Sequence, residues 1–491
     1  MSIRYRLFSR LDQGTGSLRM PDHVVPPVFF SVLPFDDFKR ESGKQGSFVT
    51  VFSIWNTMMG TSLLAMPWAM EQAGFALGSF LILAVGALSL YTAYRVVQSP
   101  SGLTLGVDSA AADLPDVCRY FWGTYGTFLA TTFSIIVLLG SCVVYWVIMS
   151  NFLFYTGNVI HEALQPNSTI VPIMMNKTFK CDIYCPDEVS LREELDTVGK
   201  YVSTLLSEVA RPNTFTFDSL WTLRGTVPIY LAFFVLPLLN FKSPTFFTKF
   251  NVLGTVSVTF LLIFVISKAV ECGINLNFVD VSSEHFSRLF NWRFPALTGT
   301  LALSYFIHNA ILTILRNQAN PANNARDLSL GYFLAATCYI IVGVVFFSAF
   351  PTRRSCISDN FLNNFGSGDV LSVVARVFIL FQMLTVLPLL MYLIRVQFFF
   401  AVIGQIFGYV LLLNCCSLSL FVSIAIFYPH VGSILRFVGS FSGLIYVFTL
   451  PCAIYLKKRQ MRGELRRIDI VVHGGIIILG VLNFLSQFLL L

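Results

Sequence analysis

Long apolar stretches alternate along this chain with short polar connections. They fall near 48–71, 75–97, 125–152, 226–241, 250–271, 295–316, 329–350, 370–395, 403–428, 431–456 and 469–490. Most approach the roughly 20 residues that carry an α-helix across a bilayer; 226–241 is short. The pattern predicts an all-α polytopic membrane protein with about eleven transmembrane helices. The first stretch is interrupted in its middle. In VFSIWNTMMGTSLLAMPW, residues 51–68, Asn56, Thr57, Gly60, Thr61 and Ser62 break the apolar run. In lipid every backbone amide needs a partner, so a break survives only where protein buries it or where it lines a cavity. Carbonyls and amides freed near the midplane can hold a small polar solute and an ion, which points to a transporter.

Secondary transporters are commonly built from two inverted repeats, so a second broken span is expected five spans later. The sixth stretch reads FPALTGTLALSYFIHNAILTIL, Phe294 to Leu315, with Thr298, Gly299, Thr300 and Ser304 in its first half. Gly and Thr also serve helix packing in membranes. Two interruptions at equivalent positions favour a shared site, in a five-plus-five inverted repeat with broken first and sixth helices. Thr298, Gly299 and Thr300 thus join Asn56, Thr57, Gly60, Thr61 and Ser62 as candidate substrate-binding residues.

Composition agrees with a membrane class. Only 12% of the 491 residues are charged, against about 25% in soluble domains. The net charge of +7 is read by location and implies no nucleic-acid partner. Residues 1–46 form a polar tail with Pro21, Pro26, Pro27 and Pro34, read as disordered, and 47–491 as the transporter domain. Basic residues crowd the tail (Arg4, Arg6, Arg10, Arg19, Lys39, Arg40, Lys44), the loop from Lys457 to Arg467, and Lys242, Lys249, Arg316 and Arg326. The positive-inside bias places these in the cytosol. The opposite, luminal side then holds the long segment 153–224, with the sequons Asn167-Ser168-Thr169 and Asn176-Lys177-Thr178. Of ten cysteines, Cys181, Cys185, Cys272 and Cys356 fall on that side or at its edge. A disulfide between loops fits an oxidising lumen, with connectivity left open by the sequence.

The spans hold no evident midplane Asp or Glu for a proton relay. His308 is the one titratable residue well inside a span, and a hydrogen-bonded interior histidine is its plainer reading. Hydroxyl and carbonyl oxygens suit sodium, a hard cation. Thr385, in the eighth span, is a candidate sodium ligand; the alternative is a hydroxyl bonded back to its own helix. No cofactor beyond this Na+ is expected. No metal cluster, nucleophile elbow or nucleotide-binding loop occurs, so an enzyme is not expected.

SIWNTMMGTSLLAMPWAMEQAGF, from Ser53 to Phe75, resembles the first span of the sodium-coupled neutral amino acid transporter 9 family, the lysosomal arginine-sensing branch of the amino acid/auxin permeases. The resemblance continues through YWVIMSNFLF (Tyr145–Phe154), FIHN (Phe306–Asn309), FQMLTVLPLL (Phe381–Leu390) and VLNFLSQF (Val481–Phe488). Tyr5, Arg10 and Leu11, then Pro21-Asp22-His23-Val24-Val25-Pro26, resemble the family's cytosolic segment that engages Rag GTPases and Ragulator. The resemblance implies a LeuT-like core with an eleventh span, in the lysosomal (late endosomal) membrane. It implies arginine binding around Asn56, Thr57, Met58, Met59, Gly60 and Thr61. It also implies arginine-promoted efflux of leucine and other large neutral amino acids, with signalling to the target-of-rapamycin complex. YCPDE (Tyr184–Glu188) and SCISDNF (Ser355–Phe361) resemble the family's luminal cysteine segments, so Cys185 is expected to pair with Cys356; Cys181 is the competitor for Cys356.

If segment 153–224 is luminal, Asn167 and Asn176 carry glycans. An endoglycosidase should then raise gel mobility, and unchanged mobility would contradict the orientation.

Overall fold

Each apolar stretch contains helix. The computed structural model describes residues 45–103, 113–164, 181–186, 217–240, 250–316, 318–366, 368–399 and 409–490. The tail positions Tyr5, Arg10, Leu11, Pro21, Asp22, His23, Val24, Val25 and Pro26 lie outside the described residues, as do Asn167 and Asn176. The helices are α1 (Ser47–Met58), α2 (Ser62–Ala73), α3 (Phe75–Val97), α4 (Leu114–Leu164), α5 (Thr226–Leu239), α6 (Asn251–Cys272), α7 (Pro295–Ser304), α8 (Ile311–Arg316), α9 (Asn324–Ile340), α10 (Val370–Phe398), α11 (Val410–Phe427), α12 (Val431–Ser442), α13 (Leu450–Met461) and α14 (Arg467–Ser486). α9 runs on to Ala349 through a π-helical turn, and a second π-helical turn joins α12 to α13.

Among the described residues, eight helical runs are long and apolar enough to cross a membrane, and α1 with α2, bent by 60°, makes a ninth. The remaining two stretches are α5, of 14 residues, and the divided α7–α8. The outward faces of the helices carry exposed apolar side chains, such as Phe233 of α5, Val270 of α6 and Phe427 of α11, as contact with lipid requires. No strand forms among the described residues; three isolated β-bridges tie loops.

The first break falls at Met59–Thr61, where Gly60 was expected to interrupt the span. The second does not fall in the first half of the sixth stretch. Thr298, Gly299 and Thr300 lie inside α7, and the helix opens between Tyr305 and Ala310. The small residues of α7 serve close packing instead. A Cβ on Gly299 would lie 2.7 Å from the Arg436 carbonyl oxygen, and one on Gly439 would lie 2.1 Å from the Gly299 carbonyl oxygen. Glycine at both positions lets the backbones of α7 and α12 touch.

The face carrying Cys181, Cys185, Cys272 and Cys356 is cross-tied. Cys185 stands at disulfide distance from Cys356 (Cα–Cα 5.1 Å), and Cys181 from Cys272 (Cα–Cα 5.0 Å). Segment 181–186 is thereby fastened both to the end of α6 and to the loop before α10. That loop is itself buried. The Arg376 Nη2 of α10 donates to the carbonyls of Leu362 (2.7 Å) and Phe365 (2.8 Å). Asp359 accepts from the Gly432 amide at the start of α12 (3.0 Å), and burial raises its carboxyl above the usual range. At the other face Gln318 joins the tail exit to the α8–α9 connection. Thr50 donates to its Oε1 (2.6 Å), and its amide reaches Ser47 Oγ (3.3 Å) and the Asp327 carboxylate.

Non-reducing peptide mapping should recover Cys181–Cys272 and Cys185–Cys356. Replacing either pair by serine should cost about 2–4 kcal/mol of stability; free thiols at all four positions would contradict the cross-tie.

Candidate functional site

A helix that stops inside a membrane leaves its last carbonyls without amide partners. Here tyrosines of α9 meet them. The Tyr339 hydroxyl lies 2.8 Å from the Met58 carbonyl at the end of α1 and 2.7 Å from the Ser304 carbonyl at the end of α7. The Ser62 side chain lies beside the same phenol. Seven residues earlier, two turns along the same face, Tyr332 donates to the Tyr305 carbonyl (3.0 Å). Tyr305 in turn donates to the Ile82 carbonyl of α3 (3.1 Å). The Trp55 indole of α1 donates to Cys338 Sγ of α9 (3.3 Å). His308, fully buried in the second break, places Nε2 2.9 Å from Thr92 Oγ1 of α3. This is the interior hydrogen-bonded histidine anticipated above.

Beside the first break lies a cavity of about 20 Å³. Met59, Gly60 and Thr61 form one wall, Tyr145 of α4 another, Ser257 of α6 a third and Gln382 with Met383 of α10 the fourth. Among the described residues no charged side chain lines it. Below it Asn56 and Gln382 converge on α6: a Cβ on Gly254 would come within 3.0 Å of Asn56 Oδ1 and of Gln382 Nε2. Asn56 Oδ1 is buried without a hydrogen-bond partner. The carbonyl end of α1 and the amide end of α2 face the gap from opposite sides. Their dipoles suit an ammonium and a carboxylate respectively. The cavity thus offers two opposed dipoles and no charged side chain. Its volume is room for about one water, so an amino acid enters only as the walls separate. Two of those walls end in flexible methionines, Met59 and Met383.

The structure gathers part of the expected set. Met59, Gly60 and Thr61 line the cavity, Asn56 lies just beneath it, and Met58 and Ser62 meet Tyr339. Thr57 donates back to the Ser53 carbonyl (2.7 Å). Thr298, Gly299 and Thr300 are not brought to this cavity. Thr298 donates to Asn483 Oδ1 of α14 (2.7 Å), and Thr300 to the Ala296 carbonyl of its own helix (2.9 Å). Thr385 donates to the Gln382 carbonyl one turn earlier (2.7 Å). Tyr145, Ser257, Gln382 and Met383 were missed. Gln382 had a signal, an amide in mid-span amid FILFQMLTVL, where polar side chains are costly and functional by default.

A broken first span braced against a broken sixth through Tyr339, with an uncharged and mostly apolar cavity beside the first break, is the arrangement of a secondary transporter. The family model described as "Transmembrane amino acid transporter protein" matches residues 43–178 and 197–486, and the chain belongs to that family. Within it the chain belongs to the neutral amino acid transporter 9 group. It is 57% identical over 497 aligned positions to the sodium-coupled neutral amino acid transporter 9 homolog of Caenorhabditis elegans, covering 100% of this chain and 81% of that protein. It is 41% identical over 503 positions to neutral amino acid transporter 9 of Xenopus tropicalis, covering 99% and 89%. This is a family of transporters, not of enzymes.

Tyr339→Phe removes the donor that bridges both breaks. Amino acid flux should fall about tenfold or more, with a stability loss of about 1–3 kcal/mol for the carbonyls left bare. Flux at the wild-type rate would show that the bridge is not needed.

Proposed function

We propose that this chain exports leucine and other large neutral amino acids from the lysosomal lumen, that luminal arginine promotes the export, and that the cytosolic tail reports the state to Rag GTPases and Ragulator. The observation that carries the transport reading is the uncharged cavity between opposed helix ends, which fits a zwitterion with an apolar side chain. The names of the relatives support neutral amino acids as cargo. Two cross-tied cysteine pairs on one face and Lys/Arg-rich connections on the other support an oxidising lumen and a cytosolic N-terminus. Sodium is the proposed coupling ion, because carbonyl and hydroxyl oxygens around the first break are hard ligands. The sensor reading rests on the tail segment Pro21–Pro26 and on Tyr5, Arg10 and Leu11.

Leucine flux from proteoliposomes, with arginine and sodium varied independently, tests the first part. Arginine should raise efflux and sodium should be required; binding without flux would leave a receptor. For the second part, His23→Ala or Val24→Ala in the full-length protein should weaken capture of Rag–Ragulator about tenfold with flux little changed. Unaltered capture would leave the plain transporter.

A further inference from the structure

The turn that joins α13 to α14 lies in KKRQMRGELRR, Lys457 to Arg467, with six basic side chains against one carboxylate, Glu464. α12 starts beside Asp359 on the face of the paired cysteines, so α13, which continues it, ends on the opposite face. Arg459 takes both carboxylates at hand. It pairs with Glu464 (2.8 Å) and with Asp469 (3.5 Å), and Asp469 also accepts from the Arg466 amide (3.2 Å). Lys458 spends its protons on the loop after α3. It donates to the carbonyls of Gln98 (2.8 Å) and Ser99 (3.2 Å) and to Ser101 Oγ (3.2 Å), all of them uncharged acceptors. Arg462 approaches the same loop, where a Cβ on Gly102 would fall 2.8 Å from its Nη2.

The cations left over are Arg462, Arg466 and Arg467. All three are exposed, and the described residues give none of them a carboxylate partner. A guanidinium presents a planar fork that fits two oxygens of one phosphate. Directly after Arg467 the surface turns apolar. Ile468, Val471, Val472, Leu479 and Leu482 are exposed, and their spacing sets them on one side of α14. Gly475 falls in the same stripe, and a Cβ there would meet nothing within 4 Å. A basic head above an open apolar stripe has the layout of a phospholipid, not of a free phosphate.

We propose that the α13–α14 turn and the outward stripe of α14 bind a phosphoinositide, its monoester phosphates on Arg462, Arg466 and Arg467 and its acyl chains along Ile468, Val472 and Leu479. Clusters of this size next to a membrane span suit anionic headgroups. Three open guanidiniums exceed what the single net charge of phosphatidylserine can balance, whereas two monoester phosphates match them. Lys458 acts as a positioning residue: it holds the loop 98–103 against the turn and adds a charge that no carboxylate cancels there. The site lies apart from the central cavity and does not depend on what that cavity carries.

The test is binding of defined lipids to the full-length purified protein in detergent, read by native mass spectrometry. Phosphatidylinositol bisphosphate should bind about tenfold or more tighter than phosphatidylserine, and phosphatidylcholine more weakly still. The triple variant Arg462→Gln, Arg466→Gln, Arg467→Gln should lose that preference, with an unchanged thermal midpoint because all three side chains are exposed. The double variant Arg288→Gln, Arg293→Gln, on the opposite face, should bind as the wild type does. Val472→Asp should weaken the lipid several-fold and leave the weak binding of soluble inositol trisphosphate unchanged. Wild-type affinity in the triple variant, an equal loss in the double variant, or phosphatidylserine binding as tightly as the bisphosphate would overturn the proposal. So would inositol trisphosphate binding as tightly as the lipid, which would make this a free-phosphate site.

Discussion

The Tyr339 hydroxyl holds the architecture's weakest point. Breaking a helix in lipid exposes carbonyls that water cannot reach, each at a cost of several kcal/mol. This chain breaks two helices and ends both beside one phenol. A phenol has a single proton to give. It donates fully to one of Met58 or Ser304 at a time, or weakly to both. The bridge therefore tolerates small relative movement of α1 and α7 without leaving a buried acceptor wholly bare. The Ser62 side chain at the start of α2 joins the same phenol, so the two halves of the first span meet at one atom. A group that can shift its donation between two carbonyls is a physical basis for two discrete arrangements of packed helices, which alternating access requires.

Around that pivot the two ends are stiff for different reasons. On the face bearing the paired cysteines the ties are covalent and ionic. Two disulfide pairs fasten segment 181–186. Lys268 of α6, buried, stands 3.4 Å from Asp369 at the start of α10 and 3.2 Å from Glu271. On the opposite face the ties are hydrogen bonds through one buried amide, Gln318, and an ion pair of Arg316 with Asp113 (2.8 Å). Hydrogen-bonded ties exchange partners more readily than disulfides. The end held by Gln318 is thus the easier one to open, and residue 45 is tied there: the Ala319 amide donates to the Gln45 carbonyl (2.8 Å). Any load arriving at Gln45 reaches Gln318 and the first half-helix directly.

How much of this was legible in the sequence depended on whether one residue had one job. Gly60 sits in an apolar run with nothing else to explain it, so the first break could be placed. Gly299 and its threonine neighbours have two possible jobs, and packing against Gly439 is a long-range fact that no local pattern carries. The true second break runs through Tyr305, Phe306 and Ile307, which read as ordinary apolar helix; the Tyr305 carbonyl is received by Tyr332 of α9, and the Ile307 carbonyl by the amides of Ala310 and Ile311. Thr385 and Gln382 lie one turn apart on the same side of one helix, so helical period alone does not tell which of them lines the cavity. The pairing of Cys181 with Cys272 joins segments 91 positions apart with no local signal, whereas Cys185 and Cys356 were read through family resemblance.

Charge limits what the first break can hold. A cation carried into the uncharged gap beside Gly60 would shed its water and find only dipoles. Dipoles can balance a zwitterion, whose two charges face the two helix ends. They cannot balance a third charge without a counter-ion. A midplane carboxylate would solve this for arginine, but it would remain buried and unpaired whenever leucine was bound.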